Sequence, residues 1–365
     1  MKISCRKEDL IAGVNTVQRA VSSKNTLPIL QGMRLRTEDE NLVFEATDLE
    51  IGIRCRIPVN VQEEGQVVLP AKLFSEITRK LPDTDIKIES TDKNINIFYY
   101  SSDFSINGYD PDEYPEISDI SSGSTIELQS SLFKSMIKQT IFACSLEETR
   151  PVFTGLLLQI DKETICLVGT DTHRLAFSKE ILTGNSQEFN GIIPSKTMQE
   201  IYRLLDDDET LTISFTNSRV IFKFSQVQIV TRLIEGQFPN YKQVIPPSCN
   251  TKLFINTKKL LDTVERASLL SKDNYLKTNT VRFNIENSQL SINHYSEMGK
   301  IFEQLDIEQN GEDVAISFNA KYLIDLLKVI DSENVIMEIS GSFGPCIFRP
   351  ENNDNYLCLV LPLRN

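Results

Sequence analysis

Apolar residues recur at helical spacing in three segments. Leu10, Val14, Val17 and Val21 share one face of 6–20, Leu260, Val264 and Ala267 share one face of 257–272, and 131–140 (SLFKSMIKQT) has the same character. Each is expected to be an amphipathic helix with one face in a core. A second set, 69–81, 193–205 and 318–330, enters a helix through a small residue and a lysine; Lys72, Lys196 and Lys321 are 124 and 125 residues apart. Anchoring the first set on Leu10, Leu132 and Leu260 gives spacings of 122 and 128. Asp48 in 44–57 and Asp171 in 167–181 are 123 apart, and 290–305 is a weak third counterpart. Three anchors with nearly one period imply three homologous domains of about 120 residues, placed at 1–122, 123–248 and 249–365.

Between the helices, 164–168, 211–215, 220–230 and 290–293 alternate with a period of two. They are rich in Ile, Val, Phe and Thr, as antiparallel strands are. The expected class is α+β, each domain being two helices packed on antiparallel sheets. The proline-bearing acidic stretch 110–117 with Ser121-Ser-Gly-Ser124 marks the first boundary, and 245–251 the second.

Charge adds an asymmetry. The six helical segments carry a summed charge of +9, leaving −22 for the rest of a 365-residue chain whose net charge is −13. Helices tolerate Lys and Arg well, which accounts for part of this. The alternative is that the helices form a surface for a polyanion and the acidic remainder disfavours wrong-face association. Contact of that kind reads phosphate rather than bases, so it is sequence-independent and salt-sensitive. With 40% hydrophobic residues the chain is of ordinary globular composition. No apolar run approaches the length of a membrane-spanning helix. The opening MKISCRKEDL has no apolar stretch behind its charges, so a cytosolic location is expected. Seven scattered cysteines without a CxxC are expected to be free, buried thiols.

Catalytic patterns are missing. No phosphate-cradling glycine loop occurs, and two histidines, His173 and His294, offer little for a metal site or a triad. Asp206-Asp-Asp-Glu209 follows a helix and precedes a strand, where a solvated turn is the expectation; a metal-dependent hydrolase is the reading it would otherwise support. Thr170-Asp-Thr-His-Arg-Leu175 is the densest polar knot, and a structural histidine explains it better than a general base. No catalytic residue, metal or cofactor is assigned.

Thr26-Leu-Pro-Ile-Leu30, Gly169-Thr-Asp-Thr-His-Arg-Leu-Ala176, Gly236-Gln-Phe-Pro-Asn-Tyr241 and Leu361-Pro-Leu-Arg364, on a threefold repeat spanning the whole chain, resemble the bacterial DNA polymerase III β subunits, the sliding clamps. The resemblance implies a non-catalytic, cytoplasmic, nucleoid-associated processivity factor. Its three clamp domains would close, as a head-to-tail homodimer, into a ring around double-stranded DNA. It implies a groove for short peptide motifs of the replicative polymerase, the clamp loader, other polymerases and repair proteins. By matched position that groove comprises Phe153, Thr170, Thr172, His173, Arg174, Leu175, Pro239, Val244, Leu359, Val360, Leu361, Pro362, Leu363 and Arg364. From the residues alone, 359–363 reads as a core strand. Thr172 stands where a glycine is common and Gln243 where some relatives have arginine. Lys24, Lys72 and Arg150 are the implied DNA contacts; Glu147 and Pro151-Val152 replace polar and tyrosine contacts found in other clamps. Phe104 and Ile106 match one side of the subunit interface, and Leu269 and Leu270 the other. A peptide-binding scaffold of the same fold that does not encircle DNA is the alternative reading.

Overall fold

The computed structural model describes residues 1–22, 27–91, 93–117, 123–184, 186–270, 279–296 and 299–364. Six helices lie among them: α1 (Lys7–Val17), α2 (Ala71–Lys80), α3 (Ser130–Thr140), α4 (Ser195–Leu204), α5 (Thr257–Leu270) and α6 (Ala320–Leu327). Each repeat therefore supplies two, as the periodicity predicts. Leu10, Val14 and Val17 of α1, and Leu260, Val264 and Ala267 of α5, are buried, whereas Val21 lies beyond the helix end and is only half-buried. In α3 the core residue is Phe133, with the anchor Leu132 half-buried beside it. Counted from Phe133, the spacing to Leu10 becomes 123, the same as between Asp48 and Asp171. Gly13 of α1 allows a close approach to the sheet: a Cβ there would come within 2.5 Å of the Phe44 ring.

The helices are shorter than the sequence pattern suggests, because strands run directly into them. Leu69-Pro70 closes the strand before α2, and Ile193-Pro194 the strand before α4. Arg6, Arg19 and Lys328 fall outside the α-helices and Lys272 lies outside the described residues, so the described helices carry +5 rather than +9. The segment 220–230 is a hairpin, not one strand: Arg219–Phe224 pairs with Val227–Arg232 through a two-residue turn with Ser225 at φ 44°.

The chain divides into two compact units, Met1–Leu132 with Glu200–Leu233, and Phe133–Gln199 with Ile234–Asn365. The strands of the central repeat are thus shared between the units. The first unit contains an eight-stranded sheet in the order Ser124–Gln129, Thr210–Phe215, Arg219–Phe224, Val227–Arg232, Ile51–Pro58, Asn41–Thr47, Gly32–Glu38, Gln66–Pro70. Its second sheet has five strands: Asn60–Glu63, Lys2–Arg6, Asp85–Thr91, Asn94–Tyr99, Ser102–Asn107. The second unit contains a nine-stranded sheet: Glu188–Pro194, Gly155–Asp161, Thr164–Thr170, Arg174–Ile181, Tyr356–Val360, Cys346–Pro350, Asn334–Ile339, Thr251–Asn256, Glu308–Gly311. Its smaller sheet runs Gly299–Asp306, Gln289–Ser296, Thr280–Glu286, Val314–Asn319. In each unit one antiparallel seam joins two repeats, Val227–Arg232 to Ile51–Pro58 and Tyr356–Val360 to Arg174–Ile181.

All seven cysteines are free; six are buried and Cys249 is exposed, contrary to the expectation for that residue. Burial pushes the thiols of Cys144 and Cys358 up to about 12, and thiolate is the reactive form. Brief treatment of the folded protein with a maleimide is therefore expected to label Cys249 alone. Mass spectrometry checks this, and rapid labelling of Cys144 or Cys358 would contradict it.

Candidate functional site

Thr170–Arg174 forms a tight turn shaped by bonds between its own side chains and backbone. The Thr170 hydroxyl donates to the Arg174 carbonyl (2.7 Å) and accepts from the Thr172 N–H (3.2 Å). The Asp171 carboxylate accepts from the N–H groups of His173 and Arg174, both at 2.9 Å. Short polar side chains that bond their own backbone are what fix such turns. Thr172 sits at φ 77°, the left-handed region that a β-branched residue enters only at a cost. This explains physically why glycine suits that position. Thr172→Gly is expected to stabilise the protein by about 1 kcal/mol, the strain released exceeding the chain entropy lost. Urea unfolding checks this; a midpoint shift to lower urea would refute it.

The same turn is built in the first repeat. The Thr47 hydroxyl donates to Ile51 O (2.8 Å) and accepts from Leu49 N–H (3.0 Å). Asp48 accepts from Glu50 and Ile51 N–H (3.1 and 2.9 Å), and Leu49 is also at φ 77°. The Asp48–Asp171 match in sequence is therefore a match in hydrogen bonding.

Arg174 is buried and joins three elements. Its Nε donates to Asp171 (3.1 Å), one terminal nitrogen donates to Asp325 of α6 (2.7 Å) and the other to Phe142 O (2.5 Å). Its guanidinium lies 4.5 Å from the Tyr322 ring centre and 5.4 Å from that of Phe142. Beside it opens a cleft of about 590 Å3, whose lining includes Leu146, Arg150, Phe153, Thr172, His173 and Tyr322. Phe153 also meets Phe238 edge to face at 6.4 Å. That contact links the cleft to an apolar cluster of Leu157, Val168, Leu175, Ile192, Tyr241, Ile347, Leu357 and Leu359. Tyr241 is pinned there by Phe177, at 5.7 Å, and donates to the Gln159 side chain (3.0 Å). The cleft and the buried cluster beside it form a trough whose lining is mainly polar and charged, with Leu146, Phe153 and Tyr322 as its apolar patches.

The fourteen groove residues implied by sequence divide into a surface and its support. Phe153 is half-buried in the cleft wall, and Thr172, His173, Pro239, Val244, Leu361 and Arg364 are exposed. Pro362 and Leu363 are half-buried. Thr170, Arg174, Leu175, Leu359 and Val360 are buried; they hold the surface in place but offer a peptide little to touch. The core-strand reading of 359–363 is right as far as Val360, where the strand ends. Beyond it the tail is held by Leu361 N–H donating to His173 O (2.9 Å) and Leu363 N–H to Ser317 O (2.8 Å). Sequence reading missed Phe238, adjacent to the matched Pro239, as well as the exposed Leu146 and the half-buried Tyr322, whose approach to the turn only the fold creates.

The other predicted residues are more dispersed. Lys72 is exposed at the second position of α2, as Lys196 and Lys321 are at the same position of α4 and α6. Arg150 is exposed and lines the cleft; Lys24 lies outside the described residues. Phe104 is exposed and stacks on Tyr99 at 6.1 Å, but Ile106, on the same strand, is buried and presents no surface. Leu269 is exposed near the end of α5; the side chain of Leu270 lies outside what is described. Asp206–Glu209 makes the turn after α4, its Asp206 carbonyl accepting from Ser130 Oγ. Among the described residues no three His, Cys, Asp or Glu side chains cluster as metal ligands, and no helix is long and apolar enough to cross a membrane.

A threefold α+β repeat joined by sheet seams, with a cleft beside the second seam and no catalytic constellation among the described residues, defines a clamp-type protein. The chain matches the DNA polymerase III beta subunit N-terminal, central and C-terminal domains over residues 1–118, 127–240 and 242–364. It belongs to that family, the β sliding clamps. The beta sliding clamp of Bacillus subtilis is 34% identical and that of Staphylococcus aureus 35%, each over the whole of this chain and at least 99% of its own. The solved B. subtilis clamp superposes with a TM-score of 0.96. A Pseudomonas aeruginosa clamp bound to griselimycin, 25% identical over the full length of both chains, superposes with 0.95.

Proposed function

We propose that this chain is a DNA sliding clamp, a ring-shaped, non-catalytic processivity factor that encircles duplex DNA without reading its sequence. Its three domains, taken at 1–122, 123–248 and 249–365, would tether the replicative polymerase, the clamp loader and other partners at the nucleoid through the trough described above. One observation carries the reading. The strand Ile51–Pro58 of the first repeat pairs with Val227–Arg232 of the second, and Arg174–Ile181 of the second pairs with Tyr356–Val360 of the third. The repeat period turns these into one rule. It leaves the counterpart strands Gly299–Asp306 and Ser102–Asn107 as sheet edges. Two different, complementary edges on one chain specify a head-to-tail contact, which closes into a ring when the rotation allows.

The edges carry exposed apolar residues, Phe302 and Phe104. Leu269 lies near the first of these: Arg266, one turn earlier on α5, pairs with Glu303 at 2.7 Å. Phe302→Glu is expected to weaken dimerisation by about 2 kcal/mol or more, as loss of a central interface aromatic does. Sedimentation equilibrium measures this, and an undiminished dimer would overturn the assignment of that edge. Lys72, Lys24 and Arg150 are the proposed DNA contacts, each adding to salt dependence rather than to specificity.

The test of the whole reading is retention on plasmid after loading by the cognate clamp loader with ATP. Retention on circles with escape from linear ends supports encirclement. Equal loss from both, with a competent loader, refutes it and favours the non-encircling scaffold. For the trough, griselimycin is the probe, with one binding site per chain expected by calorimetry.

A further inference from the structure

We propose that two copies of this chain join by pairing Ser102–Asn107 of one with Gly299–Asp306 of the other in a fixed register, and that Asp103 is bound there by the partner's Lys300. This rests on the head-to-tail reading above and names the contacts that select a second copy of this chain.

The two seams inside the chain share one register. Ile51 lies opposite Thr231 and Cys55 opposite Val227; Arg174 lies opposite Val360 and Ser178 opposite Tyr356. The same backbone bond closes both, since Arg232 N–H donates to Glu50 O at 3.0 Å and Leu361 N–H to His173 O at 2.9 Å. The free edges belong to this pattern. A shift of 125 residues carries the pairs Lys87↔Phe98 and Asn94↔Asn107 onto Thr212↔Lys223 and Arg219↔Arg232. Ser102–Asn107 is therefore the first repeat's copy of Val227–Arg232. The same shift carries Leu157↔Val168 and Cys166↔Lys179 onto Arg282↔Asn293 and Ser291↔Gln304. Residues 299–303 are therefore the third repeat's copy of 174–178. Applied to the two edges, the common register sets Ile106 opposite the partner's Gly299, Ser105 opposite the partner's Lys300, Phe104 opposite the partner's Ile301 and Asp103 opposite the partner's Phe302.

The side chains fit this pairing on both faces. On the helix side, Ile301 packs on the core of its own repeat and Glu303 holds Arg266 of α5 at 2.7 Å, so the exposed Phe104 meets an apolar residue. Ile106, already buried in its own repeat, is set against a glycine and asks for no side chain across the seam. Successive residues of a strand point to opposite faces, which puts Asp103 and Lys300 on the other side. Both are exposed, and neither makes an ion pair among the described residues. In the common register they are diagonal neighbours, about 7–8 Å apart at the backbone and within reach of a long side chain. The lateral neighbours of Asp103 are both phenylalanines, Phe98 in its own sheet and the partner's Phe302, so the diagonal lysine is the cation that the register brings to it.

The experiment is charge reversal in the full-length protein, read by sedimentation equilibrium, with a cooperative melt of each variant to check folding. The unaltered chain is expected to dimerise. Asp103→Lys and Lys300→Asp should each raise the dissociation constant about tenfold or more, because attraction becomes repulsion in both seams of the ring. Asp103→Lys/Lys300→Asp in one chain should return it close to the unaltered value. Mixing the two single variants, one carrying a mass tag, should give the mixed dimer in preference to either homodimer, since both of its seams again join opposite charges; native mass spectrometry counts the species. Single reversals that leave the dimer undiminished, or a double reversal no tighter than the singles, would overturn the proposal while the head-to-tail dimer stands. Should a reversal fail to fold, Asp103→Asn and Lys300→Gln decide by a double-mutant cycle, in which additive effects overturn it. An unaltered chain that stays monomeric at every concentration would instead refute the ring reading itself.

Discussion

Glu45→Ala is expected to lower the stability of the first unit by about 3–5 kcal/mol, the usual cost of breaking a buried ion cluster from one side. Glu45 is wholly buried. One carboxylate oxygen accepts from Arg54 Nε (2.7 Å); the other accepts from Arg34 Nε (2.7 Å) and Arg36 Nε (3.3 Å). The three residues Arg34, Glu45 and Arg54 face each other across adjacent strands in register. Truncation leaves Arg34 and Arg54 buried, with Arg34 retaining only Glu116 as an acidic partner on its outer side. A guanidinium cannot shed its charge to escape the interior. Replacing all three residues with apolar ones of similar volume should cost far less, because no charge is then stranded. Denaturant unfolding followed through the first transition measures both. A loss below about 1 kcal/mol for Glu45→Ala would show that water reaches the cluster after mutation, contrary to its burial.

Arg174→Ala is expected to be the most damaging single change to the trough, weakening griselimycin binding about tenfold or more, or about 1.4 kcal/mol. Stability should fall by about 2–3 kcal/mol, less than for a fully dry pair, because Asp325 remains partly in water. Arg174 lines the cleft but is 7% exposed, so it offers a bound ligand little contact of its own. It ties the turn bearing Thr172 and His173 to α6 and to the Ile141–Ala143 segment, so it is a positioning residue. Arg174→Lys should rescue little, since an ammonium cannot satisfy three acceptors and two ring faces from one planar fork. Unaltered affinity in a destabilised Arg174→Ala protein would mean the turn keeps its shape without the arginine.

Much of the fold is legible in the chain because the responsible interactions are local. Leu10, Val14 and Val17 recur at helical spacing because a helix brings every third or fourth residue to one face. Thr170 and Asp171 specify a turn because their side chains bond backbone two to four residues away. The repeat multiplies such signals, so that Lys72, Lys196 and Lys321, or Asp48 and Asp171, support one another. Where a boundary depended on what followed, the reading slipped. The strand before α2 runs through Leu69-Pro70, and no periodicity separates a strand's last residues from a helix's first.

The site is less legible, and for a different reason. That Leu361 is exposed while its neighbour Val360 is buried depends on where pairing with Arg174–Ile181 ends, a contact made across nearly two hundred residues of chain. Phe104 and Ile106 share a strand face, yet one is open and the other covered. Phe302 gave no signal in sequence, because an edge strand and an inner strand alternate alike. By itself the sequence determined the repeat, the class of each element and the hydrogen-bonded turn, all products of short-range periodicity and local bonding. Tertiary structure alone decided which strand edges stay free, and that Ile117 is buried against a sheet while Val244 stays exposed. Those outcomes turn on packing between residues far apart in sequence, such as Gly52 beneath Ile117.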